Sequence, residues 1–216
     1  MKVYFVRHGL TMFNMMGKMQ GWSDTPLTDE GVSVLEKTGE FLKNTHFDSI
    51  YSSDLKRAVD TANIIKNENL VSNTEIHLTK NLREMCFGAF EGDKGSDVLK
   101  YVVNKYGKVT KSKTDDPFTS ISAKGFLKKS DPTGMAENVE DLSVRIEAVI
   151  QQLLNENKID STILVVSHGA FLETLILKYF GEKFDDSGAF PDNGSITVTD
   201  LTNDDFKLEK FNILPK

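Results

Sequence analysis

Val3-Tyr4-Phe5-Val6 is a short apolar run that ends in a polar cluster, the pattern of a strand buried in a parallel sheet. A loop rich in Met, Gly and Gln follows and closes at Asp24-Thr25-Pro26. Thr28 then predicts the N-cap of a helix reaching about residue 44, with Val32, Leu35 and Leu42 on one face. Ser49-Ile50-Tyr51 predicts a second strand, and Leu55, Ala58, Val59, Ala62 and Ile65 fall in helical register over about 54–66. Ile76 and Leu78 alternate with His77 in a third strand. Helical periodicity returns over 137–154 through Val139, Leu142, Ile146, Val149, Ile150 and Leu153. Ile163-Leu164-Val165-Val166 is the most apolar strand of the chain, and residues 170–180 form a largely apolar helix. Residues 195–200 and 206–213 predict a closing hairpin across Asn203-Asp204.

Strands alternating with helices predict an α/β fold: a three-layer sandwich with a central, mostly parallel sheet and helices on both faces. Residues 1–216 read as a single domain with an inserted lid at about 93–135. That insertion is the least regular stretch, holding Thr110-Lys111-Ser112-Lys113, Pro117 and Pro132, and it predicts one helix, over 95–106. There is no internal repeat.

A chain of 216 residues, 39% of them hydrophobic, can bury about 70% of its unfolded surface, which removes disordered and low-complexity classes. No apolar run approaches a membrane span, and Arg7 follows the first four apolar residues too soon for a signal-peptide core. One cysteine, Cys86, rules out an internal disulfide and cysteine-rich metal sites, and it is read as a small buried hydrophobe. These features predict a cytoplasmic protein. The net charge of −6 argues against nucleic-acid or acidic-membrane partners. From Lys94 to Met135, however, nine lysines face four aspartates, a local balance of +5 against −11 elsewhere. This basic stretch is read either as a solvated surface or as a cover over an anionic substrate.

Four histidines are present. His46 and His77 lie in a predicted loop and on the polar side of a strand. The other two occupy equivalent places: Arg7-His8-Gly9 follows the first strand, and Ser167-His168-Gly169 follows the Ile163–Val166 strand. In open α/β sheets, ligands bind beyond the carboxyl ends of the strands. Glycine there permits a sharp turn and a close approach of backbone to ligand.

These motifs resemble the histidine phosphatase superfamily, the phosphoglycerate-mutase-like proteins. Arg7-His8-Gly9-Leu10-Thr11 with Asn14, then Gln20-Gly21-Trp22-Ser23-Asp24, resemble its opening. Ser53-Asp54-Leu55-Lys56-Arg57 resembles the second basic motif, Leu82-Arg83-Glu84 with Phe90-Glu91-Gly92 the acidic one, and Ser167-His168-Gly169 the last. The resemblance implies phosphoryl transfer through a phosphohistidine on His8. Arg7, Arg57 and His168 would bind phosphoryl oxygens and favour neutral His8, and Glu84 would be the general acid, with Glu91 its rival carboxylate. Thr11, Asn14, Gln20, Gly21 and Gly169 would line the substrate site. An ion pair of Arg57 with Asp54 or Asp60 is the alternative use of that arginine.

No metal is implied, and the chain has neither His-x-x-x-His nor Asp-x-Asp. Mutases of this family carry tyrosine at the Phe87 position, an arginine pair in the insertion and asparagine after the last His-Gly. This chain has Phe87, no arginine from Lys94 to Met135, and Ala170. Thr11 and Gln20 resemble the phosphatase branch, while Leu10 departs from both branches. The reading is a phosphomonoesterase acting on a small phosphorylated metabolite, without a cofactor. The alternatives are a mutase, which would require 2,3-bisphosphoglycerate, and an inactive phosphate-binding protein.

Overall fold

The computed structural model describes residues 1–106, 121–184 and 189–216. In chain order its elements are β1 (Lys2–Arg7), α1 (Met12–Met15), α2 (Asp29–Leu42), β2 (Ser49–Ser53), α3 (Lys56–Glu68), β3 (Ile76–Thr79) and α4 (Gly95–Tyr106). There follow α5 (Ile121–Ser130), α6 (Val139–Glu156), β4 (Thr162–Ser167), α7 (Gly169–Phe180), β5 (Ile196–Leu201) and β6 (Phe206–Ile213).

The six strands form one sheet in the order β3-β2-β4-β1-β5-β6. The β1–β4, β4–β2 and β2–β3 pairs are parallel, and β5 runs antiparallel to both its neighbours. Because β1 and β4 are adjacent and in register, with Arg7 opposite Ser167, the residues after each strand emerge side by side. Odd and even positions of these strands feed two cores. Val3, Phe5, Ile163 and Val165 pack with Leu142, Ile146 and Val149 of α6 and Leu175 of α7. Val6, Leu164 and Val166 pack with Leu42 of α2 and Ala58, Ala62 and Ile65 of α3. The sheet is therefore covered on both faces, as the alternation of elements predicts.

Local chemistry sets the element ends. Thr28 accepts the Gly31 N–H at the start of α2, and Asn138 and Asp141 form a reciprocal cap on α6. The start of α3 has no local side-chain cap. Asp24 supplies one from the loop after β1, accepting the Lys56 N–H at 2.5 Å and the Arg57 N–H at 3.4 Å. This tertiary cap explains why the helix begins two residues later than the periodicity predicts.

The insertion differs from expectation. It holds α4 where one helix is predicted, and also α5, which is not. Leu127 is buried, Phe126 stacks on Tyr106 of α4 at 4.8 Å, and Lys124 is buried against α7. The segment Thr110-Lys111-Ser112-Lys113, with Lys108 and Pro117, lies outside the described residues. Among the described residues, no helix is long and apolar enough to cross a membrane.

Candidate active site

His8 and His168 meet where β1 and β4 end. Their ring centroids are 5.1 Å apart, and both side chains are buried. His8 Nδ1 lies 2.8 Å from the carbonyl oxygen of Gly9. A carbonyl only accepts, so Nδ1 carries the hydrogen and Nε2 is left with its lone pair. Burial holds His8 well below the ordinary imidazole pKa, and the charges of Arg57 and Arg7 press it lower. His168 is lowered in the same way by burial, then by Arg57, His8 and Arg7. Neither ring nitrogen of His168 has a hydrogen-bond partner among the described residues.

The glycines after the two histidines answer to packing rather than to a left-handed turn. A Cβ on Gly9 would stand 2.6 Å from Leu35 Cδ1, so α2 could not approach. A Cβ on Gly169 would stand 2.5 Å from the Phe190 ring and 3.1 Å from Arg7 Nε. Arg7 is thereby fixed: its Nη1 donates to Pro191 O at 2.8 Å and its guanidinium lies 4.8 Å from the Phe190 centroid.

Arg57 is fully buried and held by the loop that precedes it in the chain. Its Nη1 donates to Ser23 O and Asp24 Oδ1, and its Nη2 donates to Gly21 O at 2.7 Å. Only Nε, also buried, has no partner among the described residues. Arg57 thus pairs with Asp24, while Asp54 pairs with Arg83 and Asp60 with Lys56. Neither ion pair weighed for Arg57 from the sequence is formed.

Glu84 is clamped by backbone. Its Oε1 accepts N–H groups of Met85 and Phe171, and its Oε2 accepts that of Ala170 at 3.0 Å. Two of these donors belong to the first turn of α7, where a helix favours a negative group. The Glu84 carbonyl accepts from Trp22 Nε1 and Arg145 Nη2, so the residue is pinned at both ends. Glu91 is used differently. Its carboxylate receives the N–H groups of Gly21, Trp22, Ser23 and Phe87, and the Ser23 hydroxyl. It ties the 20–23 loop to the 87–91 turn, which leaves Glu84 as the carboxylate facing open space.

That space is a cavity of about 870 Å³, lined among others by Arg7, Asn14, Gln20, Glu84, Phe87 and Ala170. Thr11 is buried behind it; its hydroxyl donates to Gln20 Oε1, and Gln20 Nε2 donates to Thr25 Oγ1. Thr11 therefore positions Gln20. Lys18, Lys94 and Lys124 also line the cavity, whereas Lys128 pairs with Asp141 and Lys100 with Asp97. Cys86 is buried and burial pushes its thiol up, which suits a packing role.

Sequence reasoning missed one residue of the cavity wall, Asn193, and two charged residues that hold nearby main chain, Arg145 and Asp131. Asn193 donates from Nδ2 to the His8 carbonyl at 2.9 Å, and the turn dipeptide Asn193-Gly194 was its only signal. Arg145 joins Glu137 to the carbonyls of Asn81, Arg83 and Glu84. Asp131 receives N–H groups of Ala89, Thr133, Met135 and Ala136. Burial works to raise Asp131, but the hydrogen bonds overcome it and hold the carboxyl far below its usual range. The Asp131-Pro132-Thr133-Gly134 turn signature could have drawn attention to it. No group of three or more His, Cys, Asp or Glu side chains able to hold a metal stands together among the described residues.

Two histidines, two arginines and a backbone-clamped carboxylate thus stand together at the carboxyl ends of the parallel strands. The profile of the histidine phosphatase superfamily (branch 1) matches residues 3–214, and the chain belongs to that family. Fructose-2,6-bisphosphatase TIGAR B of Danio rerio is 33% identical over 180 residues, 77% of this chain and 70% of that protein. Broad-specificity phosphatase YOR283W of Saccharomyces cerevisiae is 28% identical over 207 residues, 94% of this chain and 80% of that protein. The crystal structure of phosphoglycerate mutase from Bacillus anthracis str. Sterne superimposes with a TM-score of 0.87 at 33% identity, covering 99% and 93% of the two chains. The family's members include phosphatases and mutases.

Proposed function

We propose that this chain is a cytoplasmic phosphomonoesterase, one catalytic domain that hydrolyses a small phosphorylated metabolite through a phosphohistidine on His8. The observation that carries the reading is a set of unsatisfied buried nitrogens around a prepared nucleophile. His168 Nδ1 and Nε2 and Arg57 Nε are buried and have no hydrogen-bond partner among the described residues, beside a His8 ring whose lone pair is on Nε2. Buried polar groups are normally paired, so these fit a phosphoryl group as the missing partner.

In the first step His8 Nε2 attacks phosphorus while the bond to the leaving oxygen breaks. Glu84, which uses Oε2 for a single backbone hydrogen bond, gives that oxygen its proton. In the second step the Glu84 carboxylate takes a proton from water as the water oxygen attacks phosphorus. The N–P bond breaks, phosphate leaves and the His8 lone pair is restored. Arg7, Arg57 and His168 balance the charge on the phosphoryl oxygens, so the scheme asks for no metal and no cofactor.

Ala170 and Phe87 line the cavity and carry none of the side-chain amide or hydroxyl donors that a mutase would use to grip a second acidic group. A mutase reading is kept alive by the Bacillus anthracis structure. One preparation should be assayed for phosphate release from phosphomonoesters and for 2-/3-phosphoglycerate interconversion, with and without 2,3-bisphosphoglycerate and with chelator. Release is expected to exceed interconversion and to survive chelation. Bisphosphate-dependent interconversion a hundredfold faster than release would reverse the assignment.

A further inference from the structure

Lys124 reaches the cavity from α5 by a route that neither the motifs nor the reaction scheme uses. Its side chain is 4% exposed and its partner Glu173 only 1%. The ammonium donates to Glu173 Oε2 at 2.7 Å and to Thr174 Oγ1 at 3.2 Å. The Thr174 hydroxyl donates in turn to Ala170 O, so its oxygen can accept from lysine. An ammonium has three hydrogens. The third has no partner among the described residues, and Lys124 is part of the cavity wall.

Two considerations say what that hydrogen is for. The first is position. Ala170 gives its N–H to Glu84 Oε2, and Thr174 lies four residues further along the same helix. At 1.5 Å per residue this is about 6 Å from the amide that holds the proposed general acid. A leaving group whose bridging oxygen meets Glu84 would therefore bring an atom two to four bonds beyond that oxygen to Lys124. The second is charge. A buried lysine–glutamate pair loses much of its Coulomb gain to desolvation and is weak evidence of a need for stability. Because Glu173 neutralises it, Lys124 offers a strong donor with little net charge. Such a donor suits a hydroxyl or carbonyl oxygen better than a second phosphate.

We infer that Lys124 is a specificity-determining residue that donates a hydrogen bond to an uncharged oxygen on the leaving group, two to four bonds beyond the scissile P–O bond. The substrate class is then a phosphomonoester of a hydroxylated or carbonyl-bearing short chain or ring. The inference rests on the phosphomonoesterase reading for its role in turnover, though not for its role in binding.

The test compares glycerol 3-phosphate with propyl phosphate, which match in length and differ in the oxygens beyond the ester. The wild-type protein is expected to favour glycerol 3-phosphate in kcat/KM by about tenfold or more, the usual size of one charge-assisted hydrogen bond. The double variant Lys124→Met with Glu173→Met removes both partners of the ion pair together, and in it the preference should collapse towards one. In Glu173→Gln, Lys124 loses its counter-charge, and the ratio of 3-phosphoglycerate to glycerol 3-phosphate should rise several-fold. The same two ligands titrated calorimetrically into the His8→Ala background, with and without the double change, read the discrimination without turnover. Should hydrolysis be absent, the phosphomonoesterase reading fails while this titration still decides the role of Lys124. A parallel loss for both ligands, or an unaltered ratio, would mean that Lys124 only fastens α5 to α7, and the inference would be wrong.

Discussion

The ends of β1 and β4 and the insertion over 93–135 contribute to one cavity by opposite means. At the strand ends the charged and titratable groups are gripped by main chain: Glu84 by three amides, Arg57 by carbonyls of the 20–23 loop, His8 by the Gly9 carbonyl. In the insertion the grips run between side chains: Lys124 to Glu173, Lys128 to Asp141, Phe126 on Tyr106. Main-chain partners cannot be changed by substitution, whereas side-chain partners can. The difference points to chemistry held constant beside a wall free to vary, and each expectation below tries that division.

The largest effect belongs to His8. Its replacement by alanine should remove turnover by at least about four orders of magnitude, together with any acid-labile phosphoenzyme. Label that persists, or maps to His168, would sink the assignment. Next comes Glu84→Gln, which keeps the shape but has no proton to give. Its kcat should fall about 10²–10⁴-fold on an alkyl phosphate and clearly less on 4-nitrophenyl phosphate, whose leaving group needs little help. Equal losses on both would point to a structural part for Glu84.

Arg145→Met tests whether the acid depends on its support. Arg145 reaches the Glu84 carbonyl without touching the cavity, so kcat should fall about ten- to a hundredfold while KM moves little and circular dichroism stays native. A rise in KM alone would place Arg145 on the wrong side of the comparison.

These expectations also show which parts of the molecule are local enough to read in a sequence. The strands Val3–Val6 and Ile163–Val166 are apolar on both faces, and the paired His-Gly motifs follow them directly, so both the sheet centre and the candidate nucleophile were legible. Helix α5 was not, because Lys124, Gly125, Lys128 and Lys129 break its pattern; its order comes from Leu127, the Tyr106 stack and the α7 ion pair, all tertiary contacts. Arg145 was hidden for a related reason. On an amphipathic helix a charged residue reads as solvent-facing, and only the fold brings the carbonyls of residues 81–84 to it. The basic stretch was legible as charge but not as placement. Lys94 and Lys124 line the cavity, while Lys128 is paired elsewhere.

A smaller effect concerns stability and pH. His8 and His168 are lowered in the folded chain relative to about 6.5 unfolded. Below that value the unfolded state binds protons that the native state refuses, so stability falls as pH drops from about 6.5. Each residue contributes up to about 1.4 kcal/mol per pH unit until its folded pKa is reached. Urea midpoints between pH 7 and 5 should show this, and His8→Asn should remove about half of the slope. An unchanged slope in that variant would contradict a neutral, buried His8.

The smallest effect is expected from the cavity rim, where Lys94 is exposed and Lys18 half-buried. Lys18→Met with Lys94→Met should raise KM for trianionic substrates only a few-fold, and less at high salt, because such charges are screened over about 8–10 Å. Loss of kcat in this variant would show that the wall takes part in the chemistry after all.

The position of β1 in the sheet has a consequence for how the chain is made. Its two neighbours are β4, beginning at Thr162, and β5, beginning at Ile196. At about 5–20 residues per second, a ribosome needs roughly eight to forty seconds to reach them. During that interval Val3-Tyr4-Phe5-Val6, destined for the centre of the sheet, has no native strand to pair with. The proposed nucleophile thus rides on a segment that emerges long before either of its strand partners. Residence on chaperones during synthesis, and aggregation of chains truncated before residue 162, should both trace to those four residues.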